Sequence, residues 1–177
     1  MPVPETTLDI KKTKALFPQP NNTPKPDDTY ILMEDYAYVW EKAGDYHRIV
    51  VLKGFVYDGT SVPRFAWTIS GITPDGPERA ASLVHDALYV LKGNLDQPGN
   101  IIAKQYTWNP GQQSWADARD YRWTRKEADR LFGRMLREIG VPKIRRRLAF
   151  LAVHLFGWTR WRKGDTTMEY RLRPTNA

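Results

Sequence analysis

The chain of 177 residues has no cysteine, so neither a disulfide framework nor a thiolate metal site can form, and the composition suits a reducing compartment. It has three histidines, His47, His85 and His154, with no His-x3-His pair among them. No apolar run approaches the roughly 20 residues needed to cross a bilayer, so no transmembrane segment is expected. The opening Met1-Pro-Val-Pro-Glu5 has no basic segment followed by an apolar run. A cleaved secretory signal is therefore not expected, and synthesis in a cytoplasm is the default. Acids are scarcer than bases, 20 against 27, for a formal charge of +7. From Pro142 to Lys163 there are seven Lys or Arg and no acid at all. Those cations cannot pair within their own segment, which points them toward phosphate on nucleic acid or on lipid headgroups. A solvated basic face on a core helix is the plainer alternative.

No shift in composition divides the chain into halves that could fold alone, and one globular domain over 29–163 is expected, with an arm over 1–28 and a tail over 164–177. The arm holds six of the thirteen prolines and little periodicity, so it reads as extended. Tyr30–Trp40 and Tyr46–Tyr57 are rich in aromatic and branched residues around Ala43-Gly44, the pattern of a hairpin. Asp58-Gly59-Thr60-Ser61-Val62-Pro63 follows as a turn leading into a short helical piece through Trp67, with Ser61 placed as an N-cap. Residues 93–123 carry Tyr106, Trp108, Trp115, Tyr121 and Trp123 among Gly, Asn and Gln, and read as a packed loop covering a site or meeting a partner.

Three helices are expected. The first runs from Pro77 to about Lys92, stopped by Gly93, with Ala80, Leu83, Val84, Ala87, Leu88 and Leu91 as its apolar stripe. The second opens on the capping box Thr124-Arg-Lys-Glu127 and ends near Gly140, its stripe formed by Ala128, Leu131, Phe132, Met135, Leu136 and Ile139. The third starts at Pro142, and Ile144, Leu148, Leu151 and Leu155 mark its expected buried face. At about 100° per residue His85 lies roughly 130° from the centre of its stripe, with Tyr89 nearly opposite. Asp129 flanks its own stripe on the same rotational side. Antiparallel packing of the first two helices would then bring His85 and Asp129 together. His47 and His154, with no matching carboxylate nearby in sequence, read as structural.

A histidine with an orienting carboxylate is the combination that general-base chemistry needs, because imidazole changes charge near neutral pH. Several readings are open for this cluster. It can be a buried polar network fixing a helix pair, with Asp58 capping a turn. It can be a hydrolytic site. Ser61 can be a nucleophile with His85 as base, or His85, Asp86 and Asp129 can hold a transition metal.

Four segments, Gly54-Phe-Val-Tyr-Asp58-Gly-Thr-Ser61-Val-Pro63-Arg64, His85-Asp86-Ala-Leu-Tyr89, Arg125-Lys-Glu-Ala-Asp129-Arg-Leu-Phe132 and Val153-His-Leu-Phe156-Gly157, resemble an uncharacterised small domain encoded by phages and prophages. That resemblance implies a phage-encoded accessory or virion-associated protein, made in a bacterial host cytoplasm and carried in the particle, with phage structural proteins as partners. The His-Asp-x-x-Tyr segment also resembles the secreted phospholipases, whose disulfides cannot form here. By that resemblance His85 would be the general base, Tyr89 and Asp129 its orienting partners, and Asp86 with the Asp58 and Gly59 loop the ligands of a calcium ion. The expected fold is α+β, a small amino-terminal hairpin or sheet packed on three helices with a phospholipase-like antiparallel helix pair. The expected function is metal-assisted hydrolysis of a phospholipid-like ester. The alternative is a non-catalytic tail or connector component that binds its neighbours through the arm and the aromatic loop. Arg145, Arg146, Arg160, Arg162 and Lys163 are the expected contact with anionic lipid or nucleic acid.

Overall fold

The computed structural model describes residues 19–24, 30–57, 78–97, 99–118 and 120–163, with backbone alone at 156, 159, 160, 162 and 163. The architecture is α+β. β1 (Asn22–Pro24), β2 (Tyr30–Leu32) and β5 (Val56–Tyr57) form an antiparallel sheet in the order β1-β2-β5. β3 (Tyr36–Lys42), β4 (Asp45–Val51), β6 (Ala103–Asn109) and β7 (Ser114–Asp117) form a second, also antiparallel, in that order. Helices α1 (Arg79–Val90), α2 (Arg125–Ile139) and α3 (Lys143–Lys163) complete the described chain.

The expected hairpin spans the strands β3 and β4, joined by Ala43 and Gly44, whose φ values of 55° and 90° give the two-residue turn that matches strand twist. Tyr30–Leu32, placed in the same hairpin from its composition, belongs to the other sheet. Asn22–Pro24, inside the proline-rich arm, pairs with it, and Asn22 donates to the Tyr57 hydroxyl at 2.6 Å while accepting from Arg79 at 3.2 Å. The helix start is thus tied to the small sheet.

The larger correction concerns residues 93–123. They contain β6 and β7, which extend the sheet from β4 rather than covering it as a loop. The usual apolar–polar alternation is absent there because the inner face is small and polar while the aromatics lie on the outer one: Ala103, Gln105 and Thr107 share a face with Ile49 and Val51, while Tyr106, Trp108 and Trp115 line the opposite one. On that second face the Arg48 guanidinium lies 4.5 Å from the Tyr106 ring centre and 4.6 Å from that of Trp115. Asn109 closes the turn by accepting from the backbone of Gly111 and Gln112.

The inner face of this sheet, with Tyr36, Tyr38, Trp40, Ile49 and Val51 buried, packs under the helices. Tyr38 donates to Glu138 of α2 at 2.7 Å, and Trp40 meets Trp123 at 5.7 Å between ring centres. α2 carries the capping box as read: Thr124 accepts from the Glu127 backbone, Glu127 accepts from the Thr124 backbone, and Gly140 ends the helix at φ 89°. α1 stops where Gly93, at φ 71°, donates to the Leu88 carbonyl and accepts from Trp123. A Cβ at Gly93 would fall on the Trp123 carbonyl, whereas one at Gly44 would meet open space.

Both Gly44→Ala and Gly93→Ala incur left-handed strain of about 1–2 kcal/mol. Only the second also forces the α1 end away from Trp123. Urea midpoints should therefore show Gly93→Ala the costlier by at least 1 kcal/mol, and equal losses would contradict the packing of this turn.

Candidate functional site

α1 is buried almost all round, from Ala80 to Tyr89. Its apolar stripe faces the core, and the side expected to face solvent is covered by α2 and α3. His85 is 1% exposed and Asp129 0%. They meet as their matched flanks anticipate: His85 Nε2 lies 3.1 Å from Asp129 Oδ1. The Tyr89 hydroxyl donates to the same oxygen at 2.6 Å. Tyr89 against Asp129, and His85 against both Asp129 and Phe132, order the contacts so that α1 and α2 run in opposite directions.

The second carboxylate oxygen has partners of its own. Arg125, one turn earlier on α2, donates to Oδ2 at 3.2 Å, and His154 Nδ1 of α3 stands 3.5 Å from it. Arg125 also donates to the His154 carbonyl at 2.9 Å, tying α2 to α3. His154 therefore does have a carboxylate beside it, supplied by another helix. Arg125 was legible as an i, i+4 partner of Asp129. His154 was not, because its contact exists only once α3 packs.

Burial by itself would push the Asp129 carboxyl up. Hydrogen bonds from His85 and Tyr89, with the charges of His85 and Arg125, outweigh that, and hold it below the usual carboxylate range. The Tyr89 phenol is driven far upward, first by burial and then by its bond to Asp129, so it stays protonated and donates. An ionised Asp129 can only accept, so Nε2 of His85 carries hydrogen, and in the neutral form of the ring the lone pair sits on Nδ1. Nδ1 and Asp86 Oδ2 are both buried.

The rings enclose the pair closely. His85 lies 4.1 Å from Tyr89 and 4.9 Å from Phe132 between centres, and Trp161 of α3 meets Tyr89 edge-on at 5.1 Å. Gly157 lets α3 come this near, since a Cβ there would strike the Tyr89 hydroxyl. A cavity of about 240 Å³ lies on the other side of α2, against the inner sheet face, bordered by Trp40, His47, Thr107, Tyr121, Glu127 and Arg130. None of His85, Tyr89, Arg125, Asp129 and His154 borders it.

Asp58, Gly59 and Ser61 lie outside the described residues, so the loop half of the expected site has no place here. Arg145 is exposed and Arg146 half-buried on α3. Arg160, Arg162 and Lys163 fall on the same helix, with side chains outside the described set.

An α+β domain with a His–Asp–Tyr cluster buried between opposed helices is what these elements define. A family model described as protein of unknown function (DUF1353) matches residues 30–153, and the chain belongs to that family. No curated protein and no solved structure matches it.

A folded carboxyl below its unfolded value of about 3.9 adds stability that is fully present above about pH 4 and is lost as pH falls through the folded value. Asp129→Asn should cost roughly 3 kcal/mol at pH 7, where it leaves Arg125 without its buried partner. The gap to wild type should narrow at pH 3. Denaturant titrations at the two pH values check this, and a pH-independent gap would count against an ionised Asp129.

Proposed function

We propose that the chain is a phage-encoded accessory or virion-associated protein whose His85–Asp129 pair activates water to hydrolyse an ester of the glycerophospholipid kind. The observation that supports this best is the double use of Asp129 Oδ1 by His85 Nε2 and the Tyr89 hydroxyl, which presents Nδ1 as the basic nitrogen. In that reading Nδ1 takes the proton of the attacking water. Asp129 stabilises the imidazolium without itself becoming protonated, and Tyr89 holds the carboxylate in place. The phage origin rests on the four quoted segments, three of which fall within the family match at 30–153.

The resemblance to phospholipases brings a calcium ion with it. Among the described residues no group of three His, Cys, Asp or Glu is arranged to hold a metal ion. Asp86, with one oxygen buried next to His85 in sequence, has the hard-oxygen chemistry that calcium takes. Asp86 would hold the ion together with the Asp58 and Gly59 loop, and the ion when bound supplies Lewis acidity for the developing oxyanion. Every proton-handling step belongs to His85, Asp129 and Tyr89.

One observation favours the second reading, a structural component without catalysis. The whole cluster is buried, Asp129 completely so, and such a network fixes helix packing whether or not it turns over substrate. The burial also changes what substitution does. His85→Ala would open a cavity and orphan Asp129, so His85→Asn, nearer in volume, is the better probe.

With a short-chain phospholipid and millimolar calcium, wild type should release fatty acid, and folded His85→Asn should lose at least about 100-fold in rate, the usual worth of a general base. Asp86→Asn should raise the calcium concentration needed. Absence of turnover by folded wild type, with a loss of several kcal/mol of stability in His85→Asn, would leave the structural reading standing.

A further inference from the structure

The third helix turns the opposite way from its leucine pattern. Ile144, Leu151 and Leu155, expected on the buried face, are 75%, 51% and 53% exposed, and Trp158 is 49% exposed. Ala149, Ala152, Val153 and Gly157 do the packing instead. Small residues allow α3 close to α2 and Tyr89, and a row of leucines would hold it off. At about 100° per residue Ile144, Leu148, Leu151, Leu155 and Trp158 fall within an arc of about 80°. They make an apolar strip about 20 Å long, pointing away from the domain.

Exposed cations border this strip. Lys143, Arg145 and Arg147 are all exposed at its start, and Arg162 and Lys163 occupy helix positions at its far end. No acid occurs anywhere from Pro142 to Lys163. Glu78 of the α1 start is near Arg145, but the strip's rim has no acid of its own, and the complement of an apolar strip rimmed by cations is a surface both apolar and anionic. A second copy of the chain would set cation against cation. A nucleic-acid duplex would satisfy the arginines and leave the leucines and Ile144 in water, where burial of apolar area gains nothing. We infer that α3 lies along an anionic lipid surface, with Ile144, Leu151, Leu155 and Trp158 at the acyl boundary and the cations among the headgroups.

This surface goes beyond the hydrolysis reading and does not require it, but it would bring the cluster beneath α3 to a lipid substrate. Gly157, His154 and Trp161 face that cluster from a neighbouring flank of the same helix that carries the strip.

The test is co-sedimentation of the full chain with vesicles of phosphatidylcholine alone or mixed with phosphatidylserine. Wild type should bind the mixed vesicles at least tenfold more tightly than the neutral ones, and binding should weaken as salt is raised. Leu151→Glu with Leu155→Glu, and separately Arg145→Glu with Arg147→Glu, should each lower that binding at least tenfold while keeping the wild-type circular dichroism, because all four side chains are exposed. His85→Asn should bind vesicles as wild type does, so loss of hydrolysis and loss of lipid binding are separate results. Failure of folded wild type to sediment with the mixed vesicles at physiological salt would overturn the inference. So would binding undiminished in the leucine variant, or a wild-type dimer that the leucine variant converts to monomer.

Discussion

Asp129 is the constraint on which the helical half of this protein depends. A buried carboxylate costs several kcal/mol unless it is fully hydrogen-bonded and matched by charge. Three groups bond to it, His85 and Tyr89 from α1 and Arg125 from its own helix, and Arg125 also reaches the His154 carbonyl of α3, whose ring nitrogen stands 3.5 Å from the carboxylate. The angle of α1 on α2, the side of α1 that is covered and the height at which α3 crosses all follow from bringing those groups within reach. Gly157 and Gly93 are the two close approaches that permit it, one against Tyr89 and the other against Trp123.

The same network makes the chemistry and the architecture hard to separate. A depressed carboxyl, a phenol held protonated and an imidazole with its hydrogen directed at the carboxylate are what a general base requires. They are also what a satisfied buried network requires. Burial of His85 distinguishes this cluster from an open cleft, and α3 forms part of its cover. The lipid-facing α3 inferred above would join the two roles in one helix, which covers the cluster and also carries the exposed apolar strip.

Residue spacing made α1 and α2 legible. Their stripes obey the helical period, their ends carry a glycine at positive φ, and α2 has a complete capping box. The pairing of His85 with Asp129 was legible for the same reason, since flanks of equal rotational sense face one another across opposed helices. β6 and β7 were not, because their aromatics lie on the outer face and Gln105 and Thr107 on the inner one, the reverse of the alternation that marks a half-buried strand. The orientation of α3 was misread for a related cause. Periodicity locates a stripe but does not say which of two apolar faces is covered, and here the alanine and glycine face is the one that packs.

What the amino-acid sequence determined by itself is local: the helix limits, the Ala43-Gly44 turn, the absence of thiol chemistry and the acid-free run of cations. Backbone propensity, capping and charge act over a few residues, so they can be read along the chain. Only the tertiary structure decided that His154 joins Asp129, that the helical side carrying His85 is sealed, and that the leucines of α3 point outward. Each of those depends on which surfaces approach, and close approach is governed by side-chain volume at positions far apart in the chain, such as Gly157 against Tyr89.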